Sequence, residues 1–414
     1  MTDVDQDRPP VVPEGRPDAP AAGPADSVTS RRSVLAMAAG GLLVAAGLGS
    51  DAFAVQRGVF ATGTGEAYEP WRSWDRSIAP VLGLVQAGIL AANAHNAQAW
   101  RFAVSAERVD VYEDTRRSLG TVDALRREVQ LSLGCAVENI TLAALAAGLA
   151  PTVVLVPSSD PALLARVDLT PGPAVGSSLY RAIPNRHTDR APYQKGRDLP
   201  AGISATMDAL GTEPAVRILW LLTAEQKAAF SALTVAATQA FIADVAQSTD
   251  DNAWYRATWA QLQSHRDGIT VDASGLSPLL RALGKVLPSS RSSNDGYWLA
   301  GTRDSQLPTA SGFGIVLVRD AADAGQRVNA GRLYQRLHLW AVTQGLAMQP
   351  LNQSVERAER ERVTSAAPVI GRGLDQLIGD GTWQPVMPFR IGYPTVAAPP
   401  SPRRSVSDVL VSAS

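Results

Sequence analysis

The sequence predicts an α+β fold. Two long runs, residues 122–149 and 326–346, have apolar side chains at helical spacing. Several short apolar runs elsewhere have the length and composition of β-strands. With 414 residues, of which 45% are hydrophobic, the chain can bury one large core or two fused ones.

The N-terminal residues are predicted to precede the folded part of the chain. Residues 1–28 are rich in Pro, Ala and Asp and lack apolar periodicity, so we expect them to be disordered. Residues 29–54 have the pattern of a signal peptide: paired Arg31 and Arg32, a short apolar and glycine-rich run, and an Ala-x-Ala end at Ala54. The arginine pair indicates export by the twin-arginine translocase to the cell envelope or the medium. The alternative is an ordinary N-terminal helix.

The elements of the first half follow in order. Residues 80–92 have helical spacing, and Pro80 is tolerated in a first turn. Two short strands are predicted at 100–104 and 109–112, before the long helix at 122–149. Strands at 153–156 and 164–169 then end this half, which we place at residues 60–180.

The second half, residues 181–414, repeats this mixture of elements. Helices are predicted at 203–210 and 223–247, and strands at 216–222, 312–319 and 385–393. Residues 356–362 alternate acidic and basic side chains, which predicts a solvated helix face.

The two long helices share a pattern that suggests internal duplication. Gly134 and Gly148 have the same separation as Gly331 and Gly345, because 331 minus 134 and 345 minus 148 both give 197. Ile140 matches Leu337 between them. A duplicated chain of two fused copies is one interpretation. Chance is the other, because Leu and Ala recur in any buried helix.

A first polar motif lies between the helix at 80–92 and the strand at 100–104. His95, Asn96 and Gln98 stand there, followed by Trp100. Two carboxamides two residues apart can donate to and accept from the edge of a flat heterocycle, and an indole can stack. The alternative is that the amides only cap the helix end and Trp100 only packs; for Trp100 we favour packing.

A second polar motif lies at residues 186–190, Arg-His-Thr-Asp-Arg. Arg186 and Arg190 are four residues apart, around a His and a hydroxyl, and paired guanidinium groups suit a phosphate dianion. The same spacing is common on solvated helix faces. Together, one motif for a ring and one for a phosphate suggest a phosphorylated flat cofactor.

Other function classes lack support. The formal net charge of −1 gives no field to attract nucleic acid. The single cysteine, Cys135, lies in an apolar helical run and is predicted to be a core residue. With four histidines and no paired cysteines, the sequence contains no zinc-binding spacing pattern. The motifs of hydrolases, P-loop NTPases and Rossmann enzymes are absent from the sequence.

The order of the motifs resembles the nitroreductase-like FMN oxidoreductases. It consists of a helix, His-Asn-x-Gln-x-Trp-Arg-Phe at 95–102, Arg-His-Thr-x-Arg at 186–190, and a late strand Phe-Arg-Ile-Gly-Tyr at 389–393. The similarity runs from about Trp71 to the C-terminus and looks closest to the Acg-type branch. That branch usually has Pro where Ala99 stands, and small hydroxyl residues where Asn93 and Ala94 stand.

This resemblance implies a fold, a cofactor and a set of binding residues. The fold would be nitroreductase-like, with sheets flanked by long helices, and FMN would do the chemistry without a catalytic side chain. In such enzymes the flavin usually lies at a dimer interface, which two fused halves would imitate within one chain; the chain would then be a monomer or a homodimer. The implied contacts are Arg186 and Arg190 with the FMN phosphate, His187 and Thr188 nearby, Arg390 as a third phosphate contact, Asn96, Gln98 and His95 at the ring edge, and Pro350 and Leu351 opposite.

The implied function is two-electron reduction of a nitro compound or a quinone, with NAD(P)H as a possible donor. The residues at about 250–309 have no match in the first half, and we expect them to cover the cofactor as a lid. A surface decoration is the alternative. The rival functions are a flavin-storage protein with a closed site and no turnover, and a cofactor-free scaffold.

Overall fold

Four strands from the first half of the chain and one C-terminal strand form a five-stranded sheet. In a computed structural model that describes residues 57–74, 80–157, 160–287 and 289–411, the strand order is β11-β1-β2-β4-β3. Neighbouring strands are antiparallel, except that the C-terminal β11 runs parallel to β1. The strands are β1 Trp100–Val104, β2 Arg108–Glu113, β3 Leu149–Leu155, β4 Leu163–Pro171 and β11 Leu410–Val411. The predicted segments 1–28 and 29–54 lie outside the described residues.

The second half forms a four-stranded antiparallel sheet in the order β5-β8-β10-β9. Its strands are β5 Val216–Leu221, β8 Gly312–Val318, β9 Ala347–Pro350 and β10 Gln384–Gly392. Every residue of β8 is buried, because alternate side chains enter two different hydrophobic clusters: Val316 faces the main core, and Phe313 and Ile315 face a smaller one. The short strands β6 Tyr255–Arg256 and β7 Ile269–Thr270 pair with each other.

The helices lie around these sheets, and all described residues belong to one compact unit. They are α1 Glu69–Arg72, α2 Pro80–Gly88, α3 Arg127–Ala146, α4 Ser178–Ala182, α5 Ile203–Asp208, α6 Ala224–Ala243, α7 Val245–Asn252, α8 Trp259–His265, α9 Pro278–Val286, α10 Arg291–Gly301, α11 Leu307–Thr309, α12 Ala324–Thr343, α13 Gln353–Val363, α14 Val369–Ile378 and α15 Val406–Val409. The predicted α+β class and the two long helices are confirmed.

Helices α3 and α12 cross each other in the main hydrophobic core. Gly134 of α3 lies against the backbone of α12, where a Cβ atom would stand 2.0 Å from the carbonyl oxygen of Val328. Cys135 is buried beside this crossing, and its thiol donates to the carbonyl of Gly331 at 3.2 Å. The prediction that Cys135 is a core residue is therefore confirmed.

Two predictions about helices were wrong. Residues 223–247 form two helices, α6 and α7, that meet at 90°, because the carboxylate of Asp244 caps α7 by accepting from the N–H groups of Ala246 and Gln247. Residues 356–362 lie in α13, but their acidic side chains are not solvated. Glu356 and Glu359 are buried, and Glu359 pairs with the buried Arg127 at 3.0 Å.

In the described part of the chain, α3 is the one unbroken helix with the length and composition of a membrane span. However, 83% of its most apolar stretch is buried inside the protein. The pair α6 and α7 passes the same test only if both helices count as one span. The burial of α3 is that of a core helix.

Candidate functional site

One cleft brings the two polar motifs together. Its volume is about 420 Å³, part of which is open to solvent. We call residues 93–98 the amide loop, 186–190 the arginine loop, 250–309 the insertion and 401–404 the C-terminal arm. The lining residues are Trp71, Ala92, Asn93, Asn96, Arg186, His187, Thr188, Arg190, Gly268, Ile269, Ala273, Ser401 and Arg403. Five of the predicted site residues therefore face one cleft.

The amide loop has an uncommon backbone. His95, Asn96 and Gln98 have φ angles of 50°, 52° and 51°. Non-glycine residues rarely adopt this left-handed conformation, which costs free energy and recurs at binding sites. The side chain of Asn93 holds the loop, because its Oδ1 accepts from the backbone N–H of Gln98 at 2.9 Å.

Within the cleft, the carboxamide of Asn96 already has partners in the chain. Its Nδ2 donates to the carbonyl of Gly268 at 3.2 Å and to that of Pro402 at 2.9 Å. Its Oδ1 accepts from the guanidinium of Arg403. Asn96 thus joins the amide loop to the insertion and to the C-terminal arm. The sequence predicted a contact of Asn96 with a ring, but it did not predict this joining role.

Gln98 and His95 lie outside the cleft lining. Gln98 is fully buried; its Nε2 donates to the carbonyl of Arg266 at 2.9 Å, and its Oε1 accepts from the backbone of Arg404 at 2.8 Å. The ring of His95 is bonded through Nε2 to Asp251 at 2.7 Å. Burial favours the neutral imidazole, but the hydrogen bond and charge of Asp251, with the charge of Glu128, prevail and raise the pKa of His95.

Arg186 is a buried cation without a carboxylate partner. It is 2% exposed; it donates to the carbonyl of Leu90 at 3.1 Å and lies 3.5 Å from Nδ1 of His338. Its Nε is buried and has no hydrogen-bond partner. Burial lowers the pKa of Arg186 to about 10, so the group remains charged at neutral pH. A desolvated cation with an unused donor is suited to an anion.

The rest of the arginine loop continues this surface. Arg190 donates to the carbonyl of Ala273 at 3.2 Å, and burial lowers its pKa. Burial, with the charges of Arg186 and Arg403, lowers the pKa of His187 to about 3, so its ring is neutral. Thr188 lines the cleft between them and offers a hydroxyl.

Arg403, which sequence reasoning missed, is the third cation of the cleft. It is 3% exposed, donates to the carbonyl of Ala91 at 3.1 Å, and lies 4.8 Å from the ring centroid of Trp71. Burial first, and then the charge of Arg186, lower its pKa well below the ordinary value. Its sequence signal was the basic pair at 403–404 beside prolines, which by itself is typical of a solvated C-terminal segment.

The electrostatic result is a cleft with three guanidinium groups and no acidic lining residue. None of the ion pairs between described residues involves Arg186, Arg190 or Arg403. The Nε of Arg403, like that of Arg186, is buried without a partner. These residues fit a phosphate group, which would supply the missing charge and accept from the unused donors. No cluster of metal-binding side chains occurs in the described residues.

Three further predicted residues lie outside the cleft lining. Arg390 is fully buried behind the arginine loop, where it donates to the carbonyls of Asp189 at 3.0 Å and Ala191 at 2.8 Å. Pro350 pairs with β10, and Leu351 is buried in the smaller hydrophobic cluster. All four hydrogen bonds of Arg390 go to protein groups, so it supports the loop from behind.

The insertion forms one side of the cleft. The N–H of Gly268 donates to the carbonyl of Asn96 at 3.1 Å. Gly275 has a φ of +79°, and a Cβ atom there would stand 2.2 Å from the carbonyl oxygen of Arg190. Only glycine allows the insertion to approach the arginine loop this closely. We call its lining residues Gly268, Ile269 and Ala273 the roof of the cleft.

Sequence comparison finds two similar curated proteins. No family model matches the chain. The chain is 27% identical over 333 residues, covering 78% of its own length and 88% of the relative, to a protein of Mycobacterium tuberculosis that carries the provisional name of an NAD(P)H nitroreductase. The counterpart in a second strain matches equally. These names support the nitroreductase-like resemblance drawn from the motifs.

Two solved structures are also similar in part. An FMN-dependent nitroreductase of Mycobacterium smegmatis, in complex with NADPH, aligns with 57% of this chain and 94% of its own at a TM-score of 0.34 and 15% identity. A nitroreductase of Desulfitobacterium hafniense with bound FMN aligns with 58% of this chain and 100% of its own at a TM-score of 0.35 and 12% identity. At TM-scores this low, neither similarity indicates what chemistry this chain performs.

Proposed function

We propose that this chain is an FMN-dependent oxidoreductase of the nitroreductase type. It would reduce a nitro compound or a quinone by two electrons, with NAD(P)H as the donor. The observation that carries the proposal is a set of three guanidinium groups around one cleft without a carboxylate: the buried Arg186 and Arg403 and the partly buried Arg190. The names of the Mycobacterium tuberculosis relatives favour the same activity. The order of the motifs favours the Acg-type branch.

The residues of the chain would bind and enclose the cofactor. The three arginines hold the phosphate, and the neutral ring of His187 adds no further positive charge to the site. The roof and the C-terminal arm form walls of the cleft and shield part of it from solvent, which strengthens these charge interactions. When bound, the flavin supplies the hydride chemistry.

A flavin-storage protein is the second candidate, and one observation favours it. The carboxamides of Asn96 and Gln98 bond to the insertion and the C-terminal arm, so the polar groups predicted for the ring edge hold these walls of the cleft together. A site that stays closed would retain flavin without turnover.

We also propose that the chain consists of two fused nitroreductase-like halves with a division near residues 180–181. Two observations support this proposal. The sheets come almost entirely from one half each. The contact of Gly134 with Val328 and that of Gly331 with Leu131 have the same offset, because 328 minus 131 and 331 minus 134 both give 197.

Export by the twin-arginine route is a further proposal, tested by locating the tagged chain in cells with and without the translocase.

The test of function is the visible spectrum of the purified chain reconstituted with FMN, before and after NADPH is added without oxygen. A bound flavin band that bleaches supports the oxidoreductase, and substrates can then be screened. A bound band that does not bleach favours storage or another donor, which is relevant because NADPH is scarce outside the cytoplasm. If the chain does not bind FMN, both the oxidoreductase and the flavin-storage proposals are contradicted, and a cofactor-free scaffold is the remaining function.

A further inference from the structure

A segment near the N-terminus holds the insertion in place. We call residues 58–71 the strap. The side-chain amide of Gln263, in α8 of the insertion, bonds to the strap at two points: its Oε1 accepts from the N–H of Ala67 at 3.0 Å, and its Nε2 donates to the carbonyl of Thr64 at 3.1 Å. The strap therefore lies against α8 of the insertion, and the side chain of Gln263 bonds to its backbone there.

A buried ion pair joins the strap to the insertion more deeply. Lys285 of α9 and Asp272 are 2.8 Å apart, and they are only 7% and 3% exposed. Two strap residues complete the pair. The Nζ of Lys285 donates to the carbonyl of Gly58 at 2.8 Å, and the hydroxyl of Thr62 donates to Asp272 at 2.7 Å. A buried ion pair is stable only if its remaining donors and acceptors are satisfied, and here the strap satisfies them.

The ion pair of Lys285 and Asp272 lies directly beside the roof. Asp272 is adjacent in sequence to Ala273, which lines the cleft and whose carbonyl accepts from Arg190. Both residues belong to one short helical turn, in which the N–H of Ala273 donates to the hydroxyl of Thr270. A movement of Asp272 away from the strap would therefore carry the roof away from Arg190.

The strap also reaches the cleft itself. Trp71 lines the cleft, and its indole N–H donates to the carbonyl of Ser401 in the C-terminal arm at 2.7 Å. The backbone N–H of Arg403 donates to the carbonyl of Ala67 at 2.7 Å. The strap thus contacts the segment that carries the roof and the arm that carries Arg403.

We propose that residues 58–71 hold the roof of the cleft closed, with Thr62, Asp272 and Lys285 as the latch that sets how often it opens. These three are positioning residues, since none of them lines the cleft. Opening of the latch then limits the exchange of the bound molecule with solvent. The identity of that molecule as FMN rests on the proposed function, whereas the opening of the roof is a property of the chain alone.

The test uses a matched pair of variants of the full chain, Thr62→Val and Thr64→Val. Thr62→Val removes the hydroxyl from the ion pair and keeps the shape of the side chain. The hydroxyl of Thr64 is exposed and donates only to Ala61 in its own turn, so Thr64→Val is the control. Hydrogen exchange of the Gly268 amide reports opening of the roof, and the rate of FMN release reports the consequence.

We expect Thr62→Val to speed both processes about tenfold or more, as the loss of one hydrogen bond to a charged group implies, and Thr64→Val to leave both unchanged. Amide exchange at Ile315, in the fully buried β8, monitors the fold.

If Thr62→Val also speeds exchange at Ile315, the variant has destabilised the whole fold, and Gln263→Met replaces it in the test. Gln263→Met loosens the strap without touching the ion pair and is expected to have the same effect on Gly268 exchange and FMN release. Gly268 exchange at the wild-type rate in a folded variant overturns the proposal. A wild-type chain that binds no FMN contradicts the proposed function, while the exchange measurement still decides the latch.

Discussion

Gly134 and Gly331 make reciprocal contacts at the crossing of α3 and α12. A Cβ atom on Gly134 would stand 2.0 Å from the carbonyl oxygen of Val328, and one on Gly331 would stand 2.0 Å from that of Leu131. Each glycine therefore lies against the residue three positions before the other glycine. Reciprocal contacts of this kind are what the proposed fusion of two similar halves would produce.

The first prediction concerns this crossing. Gly134→Ala or Gly331→Ala should lower the free energy of unfolding by about 2–3 kcal/mol, because the added methyl group must displace the backbone of the opposite helix. Gly83→Ala is the control: Gly83 lies in α2 with no atom near its missing Cβ, and alanine there should add about 0.5–1 kcal/mol. Urea unfolding measures all three. Equal stability of Gly134→Ala and Gly83→Ala would contradict the close crossing.

The second prediction separates a supporting role for Arg390 from a phosphate contact. Arg390→Met should lower the free energy of unfolding by about 3–5 kcal/mol, because the buried carbonyls of Asp189 and Ala191 lose their donor. Arg303→Met, in an exposed pair with Asp304, should leave the free energy of unfolding almost unchanged. If Arg390→Met keeps its stability and loses only FMN binding, Arg390 contacts the cofactor as the resemblance implied.

The third prediction concerns pH and Glu356. Burial, and then the charge of Glu128 and the hydrogen bond with it, raise the pKa of Glu356 well above its ordinary value of 4.5. Because the folded chain holds this proton more tightly than the unfolded chain, the stabilisation is present below the unfolded pKa and is lost as the pH rises through the folded one. Glu356→Gln cannot ionise, so its advantage over the wild type should grow with pH. Urea unfolding between pH values of about 5 and 9 measures the difference; parallel profiles would show that Glu356 is ionised when folded.

The fourth prediction concerns the cation that sequence reasoning missed. Arg403→Gln should weaken FMN binding about ten- to a hundredfold, which corresponds to loss of a charge-assisted hydrogen bond. Arg404→Gln is the matched control, because the neighbouring guanidinium bonds to the backbones of Gln98 and Asp408 and lies outside the cleft lining. Titration of the apoprotein with FMN at two salt concentrations measures both. Equal affinities of the two variants would remove Arg403 from the site.

Much of the secondary structure could be predicted because it is encoded locally. The strand at Trp100–Val104 was predicted with its observed bounds, and Val216–Leu221 within one residue. The helix break at Asp244 was missed, because an Asp at helical spacing gives no sign that its carboxylate will cap a new helix and pair with Arg357 and Arg360. Those two partners lie in α13, more than a hundred residues away.

The candidate site divides in the same way. The sequence indicated Arg186, His187, Thr188, Arg190 and Asn96, because unusual polar types in a short motif point to a ligand. It offered no means to choose between Arg390 and Arg403. Both are arginines near the C-terminus, and only the packing of the chain puts one behind the arginine loop and the other in the cleft.

The sequence by itself determined the α+β class, the two long core helices with equally spaced glycines, and the two polar motifs. The periodicity of apolar side chains and the chemistry of individual residues are properties of short stretches of sequence. Only the tertiary structure decided which polar groups remain open to a ligand. Asn96 meets Pro402 across 306 positions, and Arg127 meets Glu359 across 232. A charged or amide side chain is buried only where a distant partner satisfies it, and no local pattern encodes that partner.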